Sequence, residues 1–470
     1  MIDGGVNLRA PSYSPQRRTA LVLSGTGTAG AYHAGVLRAL HEAGVKLDVV
    51  AGRGVGAIGA LFAAVDGAQR LWDEKGFWRA DAVRRFYPWR PTVRMVGGAL
   101  ALSLGLVALP IAAIAFGLIV FPIDFLLKMV GVGAAGGLTS WYLQLASDAF
   151  APQALPTWLP RLVLIVLGAA AFTVVVTAWL GRTERRRRGA FWWRLVPSPL
   201  SARAAIALCW SGVWDLVRGA ARLKQPAAAE LGRRYTELLA ENIGQPGFRE
   251  LVIVTHDVDA GRDLVFALVS EARRRDLLRR ATIPATQGRQ AEVLDLSGLA
   301  RDHLPDAVGA ALTVPVATDL HLIRFAPDAY WRGETHRLCD RPGCLERVVE
   351  EVAALGVEQV VLVSSAPESP GPHALAPSRI DGRGRLGEYL QSSEAAVVRE
   401  VVSRPRAGGP RIYTIRPSHN PIGPFDFDAG FDDRSDRRQP LTELMSSGYQ
   451  DAYHQFIEPV IGESGERVIG

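Results

Sequence analysis

Two apolar runs constrain this chain before anything else does. Met95–Leu127 carries a single charge, Asp124, and Leu162–Leu180 carries none. About 20 apolar residues cross a bilayer as a helix. A helix that is apolar all round belongs in a membrane or deep inside a large core. The sequence therefore predicts two membrane spans, about 95–127 and 162–180. Pro110 and Pro122 leave the shape of the first open: one span followed by an interfacial stretch, or a kinked or re-entrant pair.

The flanks set an orientation. Arg79, Arg84, Arg85, Arg90 and Arg94 precede the first run, and Arg182 and Arg185–Arg188 follow the second. Between the runs the basic residues are Lys128 and Arg161, at the two ends of the connection. The positive-inside rule then puts both outer flanks on the cytoplasmic side of the inner membrane and the connection outside. Tyr87, Trp89, Trp141, Tyr142, Trp158, Trp192 and Trp193 stand where interfacial aromatics belong. Residues 1–18 lack the apolar stretch of a secretory signal and are expected to form a tail.

Around this insertion the pattern is that of an α/β domain with a mostly parallel sheet. Leu21–Ser24 reads as a buried strand, Ala29–Ala43 as a helix, Val45–Ala51 as a second strand and Gly56–Ala64 as a second helix. The pattern resumes with a helix over Glu230–Asn242 and strands over Leu251–His256 and Asp263–Val269. A helix over Leu345–Leu355 follows, then strands over Gln359–Ser364 and Ile412–Ile415 and a terminal helix over Leu441–Ile461. Residues 365–384 are rich in Pro, Gly and Ser and read as a loop. The expected organisation is a tail (1–18), a first part of the domain (19–92), an inserted hairpin with basic and aromatic flanks (93–200) and a second part (201–470).

Composition removes several function classes. Lys+Arg 53 against Asp+Glu 47 is a mild excess, and four of the basic residues are Lys, so nothing points to nucleic acid. Three Cys (209, 339 and 344) exclude a disulfide scaffold. Cys339 and Cys344 have no matching second pair, so no metal or other cofactor is expected.

Chemistry would sit at two turns. Ser24-Gly25-Thr26-Gly27-Thr28-Ala29-Gly30 joins the first strand to its helix. Such a loop presents backbone N–H groups to an anion or a developing oxyanion. A dinucleotide fingerprint wants an acidic residue closing the next strand, but that strand ends at Ala51-Gly52-Arg53. The second turn, Gly52-Arg53-Gly54-Val55-Gly56, stands where a G-x-S-x-G nucleophile elbow would lift a serine above the sheet. His256 and Asp257 read as a hydrogen-bonded structural pair and Cys209 as a buried apolar residue.

These two turns, and residues 20–67 as a whole, closely resemble the N-terminal half of the patatin-like phospholipase domain. That family carries a G-G-G-x-R-G oxyanion loop, G-x-S-x-G, and a catalytic Asp in D-G-G/A. The resemblance implies a three-layer α/β domain whose activity would be hydrolysis of lipid carboxylic esters. It also implies an oxyanion or binding loop at Gly25, Thr26, Gly27 and Gly30, and an elbow framed by Gly52 and Gly56. The departures are as informative. Gly54 stands at the nucleophile position, and Thr26 and Ala29 replace the second Gly and the Arg of the loop. By order and spacing the family Asp falls on Asp340, in Cys339-Asp340-Arg341-Pro342; Asp381 is the alternative. Asp3-Gly4-Gly5 precedes the first strand and is disregarded.

The expectation is a membrane-anchored patatin-like protein with a degenerate site. Its ligand would be a membrane lipid or acyl group at the bilayer; a protein partner is left open. Two rivals stand beside it: an active hydrolase using a nonstandard residue, and an inactivated form of an enzyme with serine at position 54.

Overall fold

The computed structural model describes residues 13–131, 137–149, 151, 158–180, 198–219, 221, 223–280, 288–368, 382–404, 408–418, 422–427 and 440–462. The second basic flank, Trp192, Trp193, Asp381 and most of the expected loop 365–384 lie outside the described residues. The chain divides into two compact units, Met1–Pro88 with Leu200–Gly470, and Trp89–Pro199.

The first unit is built on a nine-stranded sheet. Its strands are β1 (Thr19–Leu23), β2 (Val49–Gly52), β3 (Glu250–Asp257), β4 (Arg262–Leu268), β5 (Val293–Asp295), β6 (His321–Arg324), β7 (Thr335–Cys339), β8 (Gln359–Val363) and β9 (Arg411–Ile415). The order along the sheet is β5-β4-β3-β2-β1-β8-β9, with β7 joined to β3 and β6 to β7. From β3 to β9 every neighbouring pair on this path is parallel, while β3 runs antiparallel to β4 and β7. Strand residues alternate between two cores, as a sheet covered on both faces requires. Leu21 and Leu23 enter one with α1 (Ala29–Glu42) and α2 (Gly56–Ala64), whereas Ala20 and Val22 enter the other with the helix Cys344–Ala354. The result is the mixed α/β, three-layer arrangement that the sequence pattern predicts.

Several elements differ from the sequence reading. The second strand starts at Val49, not Val45. The Val45 N–H donates to the carbonyl of Leu40, and Gly44 takes φ +64°, so Val45 closes the cap of α1 in the manner of a Schellman turn. His256 and Asp257 do not pair with each other: His256 bonds Asp263 at 2.8 Å and Asp257 bonds His336 at 2.6 Å. Successive strand residues point to opposite faces and cannot meet. The helices Arg203–Val217 and Gly382–Ser403 lay outside the sequence reading, and the second opens inside the expected loop. Tyr87 is no interfacial residue; it is buried and donates to the carbonyl of Leu312 at 2.8 Å.

The second unit consists of helices Pro91–Met129, Gly137–Ala149 and Trp158–Leu180. The first is one helix of 39 residues that runs through positions 110 and 122 without a break, so neither proline ends it. Among the described residues, three stretches are long and apolar enough to cross a membrane: Pro91–Ala108 and Ile111–Met129, both in this helix, and Leu159–Thr177. Leu104, Ile111, Leu118, Ile165 and Phe172 are exposed along the helices. Asp124, the charge in the first run, pairs with Lys128 and accepts from Thr139 Oγ1, both at 2.6 Å. Tyr142 is buried against Phe121 and donates to the carbonyl of Ala113 at 2.7 Å.

One close approach in the first unit generates a stability prediction. Where α1 crosses the helix Leu441–Ala452, a Cβ on Gly35 would stand 1.8 Å from the Met445 carbonyl oxygen, and one on Gly448 2.2 Å from that of Tyr32. Backbone cannot yield as a side-chain tip can. Gly35→Val should destabilise the protein by about 1–3 kcal/mol or more. Gly382→Val, at a position with nothing within 4 Å, should stay within about 0.5 kcal/mol of the wild type. Chemical denaturation of the two variants checks the pair.

Candidate active site

The glycine loop leaves β1 and the elbow leaves β2, which are parallel neighbours. Both turns therefore emerge at the carboxyl edge of the sheet, the usual place for a site in an α/β fold. Apolar strands and helices pack on either side of them, and Ser24–Ala34 and Ala51–Ala64 are all buried.

Gly54 has φ +55°, the left-handed conformation that glycine adopts without steric cost. A Cβ added there would lie 2.2 Å from the carbonyl oxygen of Gly25 and 2.8 Å from Asp340 Oδ2. The Gly25 carbonyl thus stands where a nucleophile's side chain would begin. The same carbonyl accepts the N–H of Val55 at 3.0 Å. In a serine elbow the residue after the nucleophile supplies one of the oxyanion donors; here that donor is occupied within the chain.

The loop is closed from its other side too. Gly27 has φ +62°, and a Cβ on it would stand 1.7 Å from the carbonyl oxygen of Pro424. That oxygen accepts the Thr28 N–H at 3.3 Å, while Thr28 Oγ1 donates to the Gly423 carbonyl at 2.5 Å. Gly30 lets the ring of Trp78 approach α1. Two backbone donors of these turns are thus engaged within the chain: the Val55 N–H of the elbow by Gly25 and the Thr28 N–H of the loop by Pro424.

Asp340 follows β7, and its N–H donates to the Thr313 carbonyl at 2.9 Å. Its Oδ2 accepts from Thr26 Oγ1 at 3.5 Å and from Arg53 Nη1 at 2.7 Å, while Oδ1 is buried without a partner. Asp340 thus faces position 54; Asp381, the alternative, lies outside the described residues. Burial pushes its carboxyl pKa up, and the guanidinium beside it pulls in the opposite direction.

Arg53 itself is fully buried. Nη1 meets Asp340, Nη2 meets Glu394 in a closer contact, and Nε donates to Ser24 Oγ at 3.0 Å. Ser24 Oγ in turn donates to Glu394 Oε1 at 3.0 Å. Glu394 comes from the helix Gly382–Ser403 and is 3% exposed. His33 Nε2 donates to the Ser24 carbonyl at 3.1 Å; burial lowers its pKa to about 4, so the ring is neutral near pH 7. Cys339, the thiol beside Asp340 in sequence, is pushed up to about 12 by burial and is no thiolate. The sequence reading missed Arg53 and Glu394. A charge between two glycines, joining a buried strand to a buried helix, was the available signal for Arg53. Glu394 had none, because 341 residues separate the pair.

A family model of patatin-like phospholipases matches residues 21–340, from β1 to this aspartate. The chain belongs to the patatin-like phospholipase family. Among curated proteins it is 48% identical over 60 residues to patatin-like phospholipase domain-containing protein 6 of Mus musculus, covering 13% of this chain and 4% of that protein. It is also 48% identical over 48 residues to lysophospholipase nte1 of Aspergillus fumigatus, covering 10% and 3%. Triacylglycerol lipase ptl3 of Schizosaccharomyces pombe is 53% identical over 47 residues, 10% of each chain. The matched segments thus span a tenth or less of these relatives. Among solved structures, VipD from Legionella pneumophila aligns over 94% of this chain and 67% of its own at 14% identity and a TM-score of 0.30, too distant a likeness to inform the site.

Within this patatin-like domain, removing Arg53 would leave two buried carboxylates without their cation. Arg53→Leu should destabilise the protein by about 3–5 kcal/mol. Combining it with Asp340→Asn and Glu394→Gln should recover most of that loss. Denaturation midpoints of the single and triple variants measure the difference.

Proposed function

We propose that this chain is a membrane-anchored, catalytically degenerate patatin-like protein, acting on the cytoplasmic side of the inner membrane by binding a lipid or acyl group rather than by cleaving it. One observation carries the reading: position 54 has no hydroxyl, and the Gly25 carbonyl fills the place where its side chain would start. In the family's chemistry the aspartate activates the nucleophile, as an adjacent base does in general. Asp340 is instead engaged by Arg53 at 2.7 Å. Loss of a serine nucleophile alone removes about 10⁶ in kcat in a protease.

Membrane anchoring rests on the exposed apolar surface of the second unit. A continuous helix crosses a bilayer once, whatever its length. The 39 residues of Pro91–Met129 reach about 58 Å, well beyond a hydrocarbon core of about 30 Å. With Trp158–Leu180 this makes two crossings, which returns the chain to the side from which it left. In this reading 93–200 is the inserted hairpin, and 19–92 and 201–470 are the two parts of one cytoplasmic domain behind the tail 1–18. The ligand is drawn from the bilayer, and the segment over Gly27 and Thr28 would have to move to admit it.

Two measurements test the proposal. Reconstituted wild-type protein and Gly54→Ser should both leave phospholipid, lysophospholipid and triacylglycerol uncleaved, since serine at 54 meets the Gly25 carbonyl and an engaged aspartate. Fatty acid release by Gly54→Ser at rates normal for a lipase would establish an inactivated enzyme instead. The protein should also stay in the pellet on alkaline carbonate extraction, with a cysteine placed at Ser147 labelled from outside and one at Ser198 only from within. Extraction into the supernatant would contradict the anchoring.

A further inference from the structure

Three arginines are buried among the described residues: Arg53, Arg289 and Arg416. Two of them are compensated in the same way. Arg53 lies between Asp340 and Glu394, and Arg289 between Glu292 at 3.1 Å and Glu351 in a closer contact. This is what burial of a guanidinium demands, since an uncompensated charge in the interior costs several kcal/mol. Arg416 breaks the pattern. It is 7% exposed, its Nε is buried without a hydrogen-bond partner, and it enters no ion pair among the described residues.

Its setting is built with care. Arg416 directly follows β9, at the same carboxyl edge as the glycine loop, three strands from β2 along the sheet and so about 14 Å away from it. Gln455 holds its backbone on both sides, accepting from the Arg416 N–H at 2.9 Å and donating to its carbonyl at 2.7 Å. A nearby acid on the same helical stretch is directed elsewhere: Asp451 accepts from Tyr32 at 2.9 Å, from Gln455 Nε2 at 3.2 Å and from Ser418. The charges acting on Arg416 are Glu368, which favours the cation, and Arg399, which opposes it, while burial lowers its pKa. Glu368 and Arg399 are both exposed.

We propose that Arg416 forms an oxyanion site that takes a phosphate group, either free or carried by a lipid headgroup. A guanidinium fork matches the paired oxygens of such a group. The bound anion supplies a counter-charge to a cation that, unlike Arg53 and Arg289, enters no ion pair among the described residues. The site involves neither position 54 nor Asp340, so it stands or falls apart from the reading of the degenerate elbow.

The test uses the full chain in phosphatidylcholine nanodiscs. Thermal unfolding is followed against inorganic phosphate at ionic strength held constant with chloride, and against discs that contain phosphatidic acid. The wild type should show a saturable stabilisation by at least one of the two probes. Response to phosphatidic acid alone assigns the lipid headgroup, and response to inorganic phosphate assigns the free anion. Arg416→Gln should abolish the response while unfolding, without ligand, at or above the wild-type temperature, because it removes a buried charge that enters no ion pair among the described residues. A wild type that responds to neither probe overturns the proposal. So does an Arg416→Gln variant that binds like the wild type, or one that is markedly less stable without ligand, as a guanidinium with a structural role would require.

Discussion

The buried guanidinium of Arg53 ties together parts of the chain that lie far apart in sequence. It reaches from the elbow after β2 to Asp340 after β7 and to Glu394 on the helix Gly382–Ser403. Removing these charges from water is costly, and their mutual attraction returns that cost only when the geometry is good and the remaining polar atoms are bonded. Ser24 meets part of this requirement by bonding both Arg53 and Glu394, while Asp340 Oδ1 is left buried without a partner. The arrangement also governs the chemistry. An aspartate that is to take a proton from a nucleophile needs that face free, and in this chain a permanent cation lies against it.

Glycine at position 54 and closure of the loop belong to one geometry. Because no side chain projects from the elbow, the Gly25 carbonyl can descend onto it and take the Val55 N–H. The donor that would stabilise an oxyanion becomes an ordinary backbone bond. On the other side, Pro424 and Gly423 engage Thr28 in the same fashion. In the proposed reading, what remains is a patatin-like framework whose two turns act as packing surfaces. The apolar helices of the second unit are exposed along their length, and in that reading the bilayer is their solvent.

Much of this was legible in the chain. A short apolar run ending in glycines and helical spacing placed β1, α1 and α2 closely, and the order of motifs put the family aspartate at Asp340, with Asp381 as the alternative. The failures have definite causes. Val45 reads as strand because it is apolar and β-branched, but the cap that Gly44 initiates claims it. The two prolines of the first apolar run leave its shape open in the sequence, and the helix runs through both. The helix Gly382–Ser403 opens in a stretch whose Pro, Gly and Ser content argues for loop, so Glu394 was never considered for the site. Ion pairs between residues hundreds of positions apart leave no local pattern, and that is why the Arg53 network emerged only with the fold.

The most direct measurement of the central claim is covalent. Exposure of the protein, reconstituted in nanodiscs, to a long-chain fluorophosphonate, followed by intact-mass and peptide mass spectrometry, asks whether any hydroxyl in the chain is an activated nucleophile. A degenerate elbow closed by Gly25 and clamped by Arg53 predicts no stoichiometric adduct on any residue. A stoichiometric adduct on Ser24, or on any other serine, that is blocked by competing lipid would contradict the account.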